Sequence, residues 1–197
     1  MGYHCGIFDG MEKHLLLREA ALGMLAVVDR VGAGDLGAPT PCAGWDVAAL
    51  RGHLLEWGPA LEGAARKESV PPGAAYDSLR EQVTRLAEAW GEPAAWAGTT
   101  RMATVELPAE VVGGMVLGEF VLHGWDLARA LGLPVTWDDE VLRLLYAEVA
   151  RSADQGRSMG VYAAEVPVPS GASLLARTLG LSGRDPDWTP SSLSRSS

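Results

Sequence analysis

Residues 109–131 are apolar almost throughout, yet they place a glutamate and a histidine, Glu119 and His123, four positions apart near their middle. On a helix, residues i and i+4 lie one above the other on the same face. Asp126, seven residues after Glu119, falls on that face as well. Val111, Val112, Met115, Val116, Leu117, Phe120, Val121 and Leu122 surround the three polar residues. Such a helix has to be covered by other elements. Its carboxylate and imidazole then need partners, because an unpaired neutral polar group costs roughly 2–7 kcal/mol to bury, and a charge costs more. Glu119 and His123 are therefore either bonded to each other or to a shared metal ion.

The rest of the chain supplies the cover. From Glu12 to about Val31, Leu17, Ala21, Met24, Val28 and Val31 recur at helical spacing. His14 falls in the first turn and is expected on the surface or rim. Gly32, Gly34 and Gly37 stop this helix, and Pro39 and Pro41 keep residues 32–45 as a loop. Asp46 is an N-cap residue type, and a second helix runs from about Val47 to Lys67. Its stripe is Leu50, His53, Leu54, Trp57 and Leu61, and Gly58-Pro59 predicts a kink or break. A third helix is expected over residues 76–90, with Leu79, Val83, Leu86 and Trp90 inward. Met102–Leu107 reads as a short β-like piece, and Pro108 suits the first turn of the helix that follows. Residues 138–154 read as a fifth helix and 173–179 as a short sixth, ended by Gly180. Val166–Pro169 is extended, and residues 191–197 form a polar, disordered tail. The expectation is an all-α helix bundle, one domain over residues 12–190, after a flexible extension over residues 1–11 in which Met11 is a candidate start.

Charge narrows the function. The 197 residues carry 16 basic and 25 acidic side chains, net −9, which excludes nucleic-acid binding or attachment to anionic membranes through a basic surface. Glu, His or Gly interrupt every long apolar run, so no transmembrane helix is expected. Residues 1–10 lack the basic start and apolar run of a signal peptide. The two cysteines, Cys5 and Cys42, form no CxxC pair and read as free thiols in a reducing compartment. A cytoplasmic location follows.

Bundles build metal sites from side chains on facing helices. Here the set is His53 from one helix with Glu119 and His123 from another. Three His and carboxylate ligands with one position open are what a catalytic zinc ion needs; nickel, iron or manganese accept the same donors. The rival reading is a buried Glu–His hydrogen bond, with His53 a core histidine. Asp126 reads most simply as a helix-end carboxylate near solvent, with an acceptor that orients a ligand or an additional ligand as the functional alternatives. Cys42 has no base near it in sequence, so it is not read as a nucleophile. His4 reads as an exposed tail residue.

The segments Thr40-Pro41-Cys42-Ala43-Gly44-Trp45-Asp46-Val47, His53-Leu54 and Glu119…His123-Gly124-Trp125-Asp126-Leu127-Ala128 are distinctive in combination. Together they resemble the metal-binding proteins related to mycothiol-dependent maleylpyruvate isomerase, within the DinB-like superfamily, over roughly residues 12–190. The resemblance implies a DinB-like four-helix bundle with long loops and a short extra C-terminal helical or extended segment. It implies zinc held by His53, Glu119 and His123, with Asp126 behind them. It further implies mycothiol or another small thiol as co-substrate, used by a transferase or isomerase acting on an electrophilic substrate. Metal-assisted hydrolysis and a non-catalytic, metal-stabilised binding or stress-response module are the alternatives. The isomerase carries a further C-terminal domain that the chain after about residue 155 is too short to supply. No basic residue stands out as a holder of an acidic substrate. Bundles of this kind expose an apolar helix face, which makes a homodimer an expectation.

Overall fold

The computed structural model describes residues 10–73 and 75–190. His4, Cys5, the candidate start at Met1 and the tail 191–197 lie outside the described residues. Four helices form the bundle: α1 (Gly10–Val28), α2 (Val47–Ala65), α3 (Leu79–Trp90) and α4 (Ala109–Leu131). α1 and α2 each pack on both α3 and α4, so the four close into a ring. α5 (Asp139–Ser158) lies on α1 and α4, and α6 (Leu174–Leu181) lies on α5. The all-α fold is as the sequence indicates.

The bundle core is built from the expected stripes. Leu17 and Met24 of α1, Leu50 of α2, Leu86 and Trp90 of α3, and Leu117 and Phe120 of α4 are all buried. α4 is long and apolar enough to cross a membrane. However, 72% of its most apolar 18-residue window is buried inside the protein, the pattern of a core helix. Its bounds match those read from the sequence. It ends where Gly132 takes a left-handed conformation, φ +67°, and donates its N–H back to Arg129.

Several local readings change. α1 begins at Gly10, so Gly10 and Met11 belong to the helix rather than to an extension. His14 is buried at 8% exposure instead of lying on the surface. α1 touches α3, α4 and α5, and its solvent face is confined to the stripe of Leu15, Arg18, Glu19, Leu22 and Ala26, which His14 does not share. α3 starts at Leu79 because Ser78 caps it, its hydroxyl accepting from Glu81 N, while Glu81 reaches back to Asp77 N. The β-like piece is a hairpin, β1 (Thr99–Met102) paired with β2 (Val105–Pro108), with its turn in the middle of the expected strand. Ala103 at that turn has φ +52°, a conformation an alanine pattern does not announce. α5 runs four residues beyond its expected end, and α6 continues through Gly180.

α2 does not break at Gly58-Pro59. Proline removes one helical N–H, but side chains from α3 bond to carbonyls on either side. Gln82 Nε2 donates to Leu54 O, and Trp90 Nε1 donates to Leu61 O at 2.9 Å. Gly58 is what lets Gln82 in, since a Cβ there would stand 2.3 Å from its amide nitrogen. α2 runs unbroken from Val47 to Ala65 and carries His53 to the face of α4.

Candidate metal centre

Helix geometry sets three of the site's side chains. Glu119, His123 and Asp126 project from one face of α4. His53 comes from the first half of α2, whose start is fixed by Asp46, its side chain accepting from Ala49 N at 2.8 Å. The structure thus brings together every residue proposed from the sequence.

Glu119 Oε2 stands 3.7 Å from His53 Nε2 and 3.8 Å from His123 Nε2. Both separations exceed hydrogen-bond distance, so the simple Glu–His hydrogen bond is not what the structure makes. Glu119 Oε2 is buried and has no hydrogen-bond partner among the described residues. A buried carboxylate oxygen between two imidazole nitrogens calls for a cation. Ligand atoms at about 2.1 Å from one tetrahedral ion stand roughly 3.4 Å apart, close to the spacing here. One donor atom from each of the three residues lies within 4.8 Å of the others. The donor set fits a divalent metal. Burial lowers the pKa of His53, against the opposing charge of Glu119, which favours the neutral ring whose lone pair a metal needs.

Asp126 settles which His123 nitrogen faces Glu119. It is fully buried, not a solvent-side carboxylate at a helix end. Burial alone would raise its pKa. The Arg184 charge and the bonds from His123 and Arg184 override that and hold it down at about 2. An ionised carboxylate only accepts, so His123 Nδ1 carries the proton and donates to Asp126 Oδ2 at 2.9 Å. Nε2 is then the free lone pair, aimed toward Glu119.

Two further residues were not legible as site members. Arg184, after α6, donates through Nε to Asp126 Oδ1 at 2.9 Å and through Nη2 to Oδ2 at 2.8 Å. Cys42 donates its thiol proton to Asp126 Oδ2 at 3.1 Å and lies 3.9 Å from His123 Nδ1. Burial, and next the Asp126 charge, push the Cys42 pKa up to about 12, so it stays a thiol at neutral pH. Cys42, His123 and Asp126 also group as metal ligands do. That group already holds a cation, because Arg184 Nη2 lies 3.4 Å from His123 Nδ1 and 3.7 Å from Cys42 Sγ. The sequence signal for Cys42 was its place in the TPCAGW segment. Arg184 gave none.

The TPCAGW loop closes the site's other side. Trp45 N donates to Cys42 O, and Thr40 N and Oγ1 both donate to Trp45 O. Gly44 turns at φ +80°. The loop sets the Trp45 ring 5.0 Å from His53, tilted by 51°, and 6.5 Å from His123, nearly parallel at 20°.

Residues 17–128 match the model of the mycothiol maleylpyruvate isomerase N-terminal domain. The chain belongs to this family. Among its relatives are two proteins of Mycobacterium tuberculosis, uncharacterized protein MT0763 of strain CDC 1551 and uncharacterized protein Rv0738 of strain H37Rv. Each is 30% identical over 167 residues, spanning 82% of this chain and 90% of the relative. The fold is similar to the crystal structure of the mycothiol-dependent maleylpyruvate isomerase, with a TM-score of 0.60 at 21% identity over 91% of each chain. A histidine-to-alanine mutant of that enzyme gives a TM-score of 0.54 at 21% identity, over 76% of this chain and 73% of that one. The first of these corrects the expected C-terminal shortfall: the likeness extends over nearly all of the isomerase chain. Here the Pro- and Gly-rich C-terminal segment buries Thr178 and Leu179 and delivers Arg184 to Asp126.

Proposed function

We propose that this protein is a thiol-dependent transferase or isomerase that works with a divalent metal held by His53, Glu119 and His123. One observation carries the metal: the partnerless Glu119 Oε2, placed almost equally far from two imidazole nitrogens. The thiol follows from the family, whose name and solved structural neighbour both specify mycothiol. Mycothiol or a similar small thiol is therefore the proposed co-substrate, and an electrophilic small molecule the substrate. The His and carboxylate donors make zinc the first expectation, with nickel, iron or manganese as rivals. The reducing cytoplasm, where such thiols stay reduced, is the proposed setting.

The residues divide the work. His53 and His123 offer neutral nitrogens, and Glu119 offsets one unit of the cation's charge. The bound cation supplies Lewis acidity, lowering the pKa of a thiol at its open position. Asp126 holds His123 in the tautomer that leaves Nε2 free. Arg184 keeps Asp126 ionised and fixed. Trp45 packs over both imidazoles and limits how far either ring can turn.

The test begins with metal analysis of the purified full chain, which also names the ion. Thiol consumption is then measured with mycothiol and a panel of electrophiles. One metal per chain and metal-dependent thiol consumption support the proposal. Metal with ester or amide hydrolysis and no thiol consumption points to a metal-activated water instead. Metal that stabilises the fold without turnover in either assay leaves a binding module. Absence of stoichiometric metal overturns the proposal.

A further inference from the structure

The loop over residues 38–47 is more tightly built than a connection between α1 and α2 requires. Thr40 is nearly buried, and its hydroxyl donates to Trp45 O at 2.8 Å while accepting from Cys42 N at 3.2 Å. Trp45 N closes a turn on Cys42 O at 3.0 Å, and Val47 N bonds Ala38 O at 3.0 Å. Pro39 and Asp46 pair as an isolated antiparallel bridge. Each of these bonds fixes the backbone on one side or the other of Cys42. Its sulfur is directed at Asp126 Oδ2, the oxygen that also receives His123 Nδ1.

Asp126 Oδ2 thus accepts from three residues: His123 at 2.9 Å, Arg184 through Nη2 at 2.8 Å and Nε at 3.1 Å, and Cys42 at 3.1 Å. An oxygen held from several directions cannot swing, and neither can the ring bonded to it. We infer that Cys42 is a positioning residue, whose S–H bond to Asp126 holds the His123 ring in the orientation that presents Nε2 to a metal. It does not itself touch the metal in this arrangement, because it lies on the Nδ1 side of the ring. This rests on the metal reading proposed above, and it gives the Cys42 thiol a use other than nucleophilic attack. Partners behind metal ligands typically change metal affinity by about 10–100-fold when removed. A thiol is a weak donor and one of three, so the lower end applies.

The test uses the full chain as wild type, Cys42→Ala, Cys42→Ser, Asp126→Asn and the Cys42→Ala/Asp126→Asn double variant. Each is stripped of metal, and Zn2+ affinity is measured by chelator competition. Co2+ absorption spectra report the ligand field, and the melting temperature of the metal-free form reports the fold. Cys42→Ala should bind Zn2+ about tenfold more weakly. Cys42→Ser, which keeps a donor, should recover most of that loss. In the Asp126→Asn background, Cys42→Ala should cost little more, because Cys42 acts through Asp126. If Cys42→Ala does not fold, Cys42→Val fills the site without a donor and takes its place. Zn2+ affinity equal to wild type in a folded Cys42→Ala or Cys42→Val variant overturns the inference and leaves the metal reading intact. An equal loss in the presence and absence of the Asp126 carboxylate also overturns it. No Zn2+ or Co2+ binding by wild type removes this inference and the metal reading together.

Discussion

Arg184 and Asp126, 58 positions apart, meet as a buried ion pair in which both carboxylate oxygens accept from the guanidinium. Through this contact the segment that follows α6 is tied to α4, the helix at the centre of the site. Removing one partner of such a pair leaves an uncompensated buried charge, at a cost of about 3–5 kcal/mol. Arg184→Met should therefore lower the unfolding free energy from urea titration by an amount in that range, seen as a lower midpoint at constant slope. Adding Asp126→Asn should recover part of the loss, because the stranded charge goes with it.

Removal of metal should destabilise the protein that binds it. Under the proposed function, free metal at a hundred times its Kd adds about 2.7 kcal/mol to the folded state. Chelation should lower the melting temperature of wild type and leave Glu119→Gln unmoved. Equal melting temperatures for wild type with and without chelator would contradict the assignment of Glu119.

Asp46 caps the helix that brings His53 to the site. Asp46→Ala should cost about 1 kcal/mol. In a urea titration the midpoint should fall while the slope stays constant, since the surface exposed on unfolding is unchanged.

Gly113 lies on α4 where the Trp96 ring crosses, and an added Cβ would stand 2.5 Å from that ring. Gly113→Ala should cost about 1–3 kcal/mol through overpacking. Tryptophan fluorescence should shift as Trp96 moves, because its indole N–H, donated to Trp90 O at 2.8 Å, is strained with it.

The sequence carried most of what a single helix can encode. α4 was legible to the residue because its apolar run ends at Pro108 on one side and Gly132 on the other. The convergence of His53 with Glu119 and His123 followed because stripes on neighbouring helices have to face one another. The parts that were missed are those decided by contacts across the chain. Arg184 is one arginine among many until the C-terminal segment folds back on α4. Cys42 lacked a base in its own neighbourhood, yet two polar partners reach it from residues 123 and 126. His14 reads as a first-turn surface residue until three helices close around α1. The hairpin turned at an alanine with positive φ, where no glycine or asparagine marked it.

Three of the site's polar side chains sit on α4 at positions 119, 123 and 126, and only His53 comes from α2. The spacing of the first three is present in any chain that has formed α4. The fourth arrives only with docking of α2. A Co2+ ion that registers two ligands from α4 and then a third from α2 would act as a molecular clock for assembly. Its spectrum would time the moment the bundle closes, separately from the coil-to-helix step that precedes it.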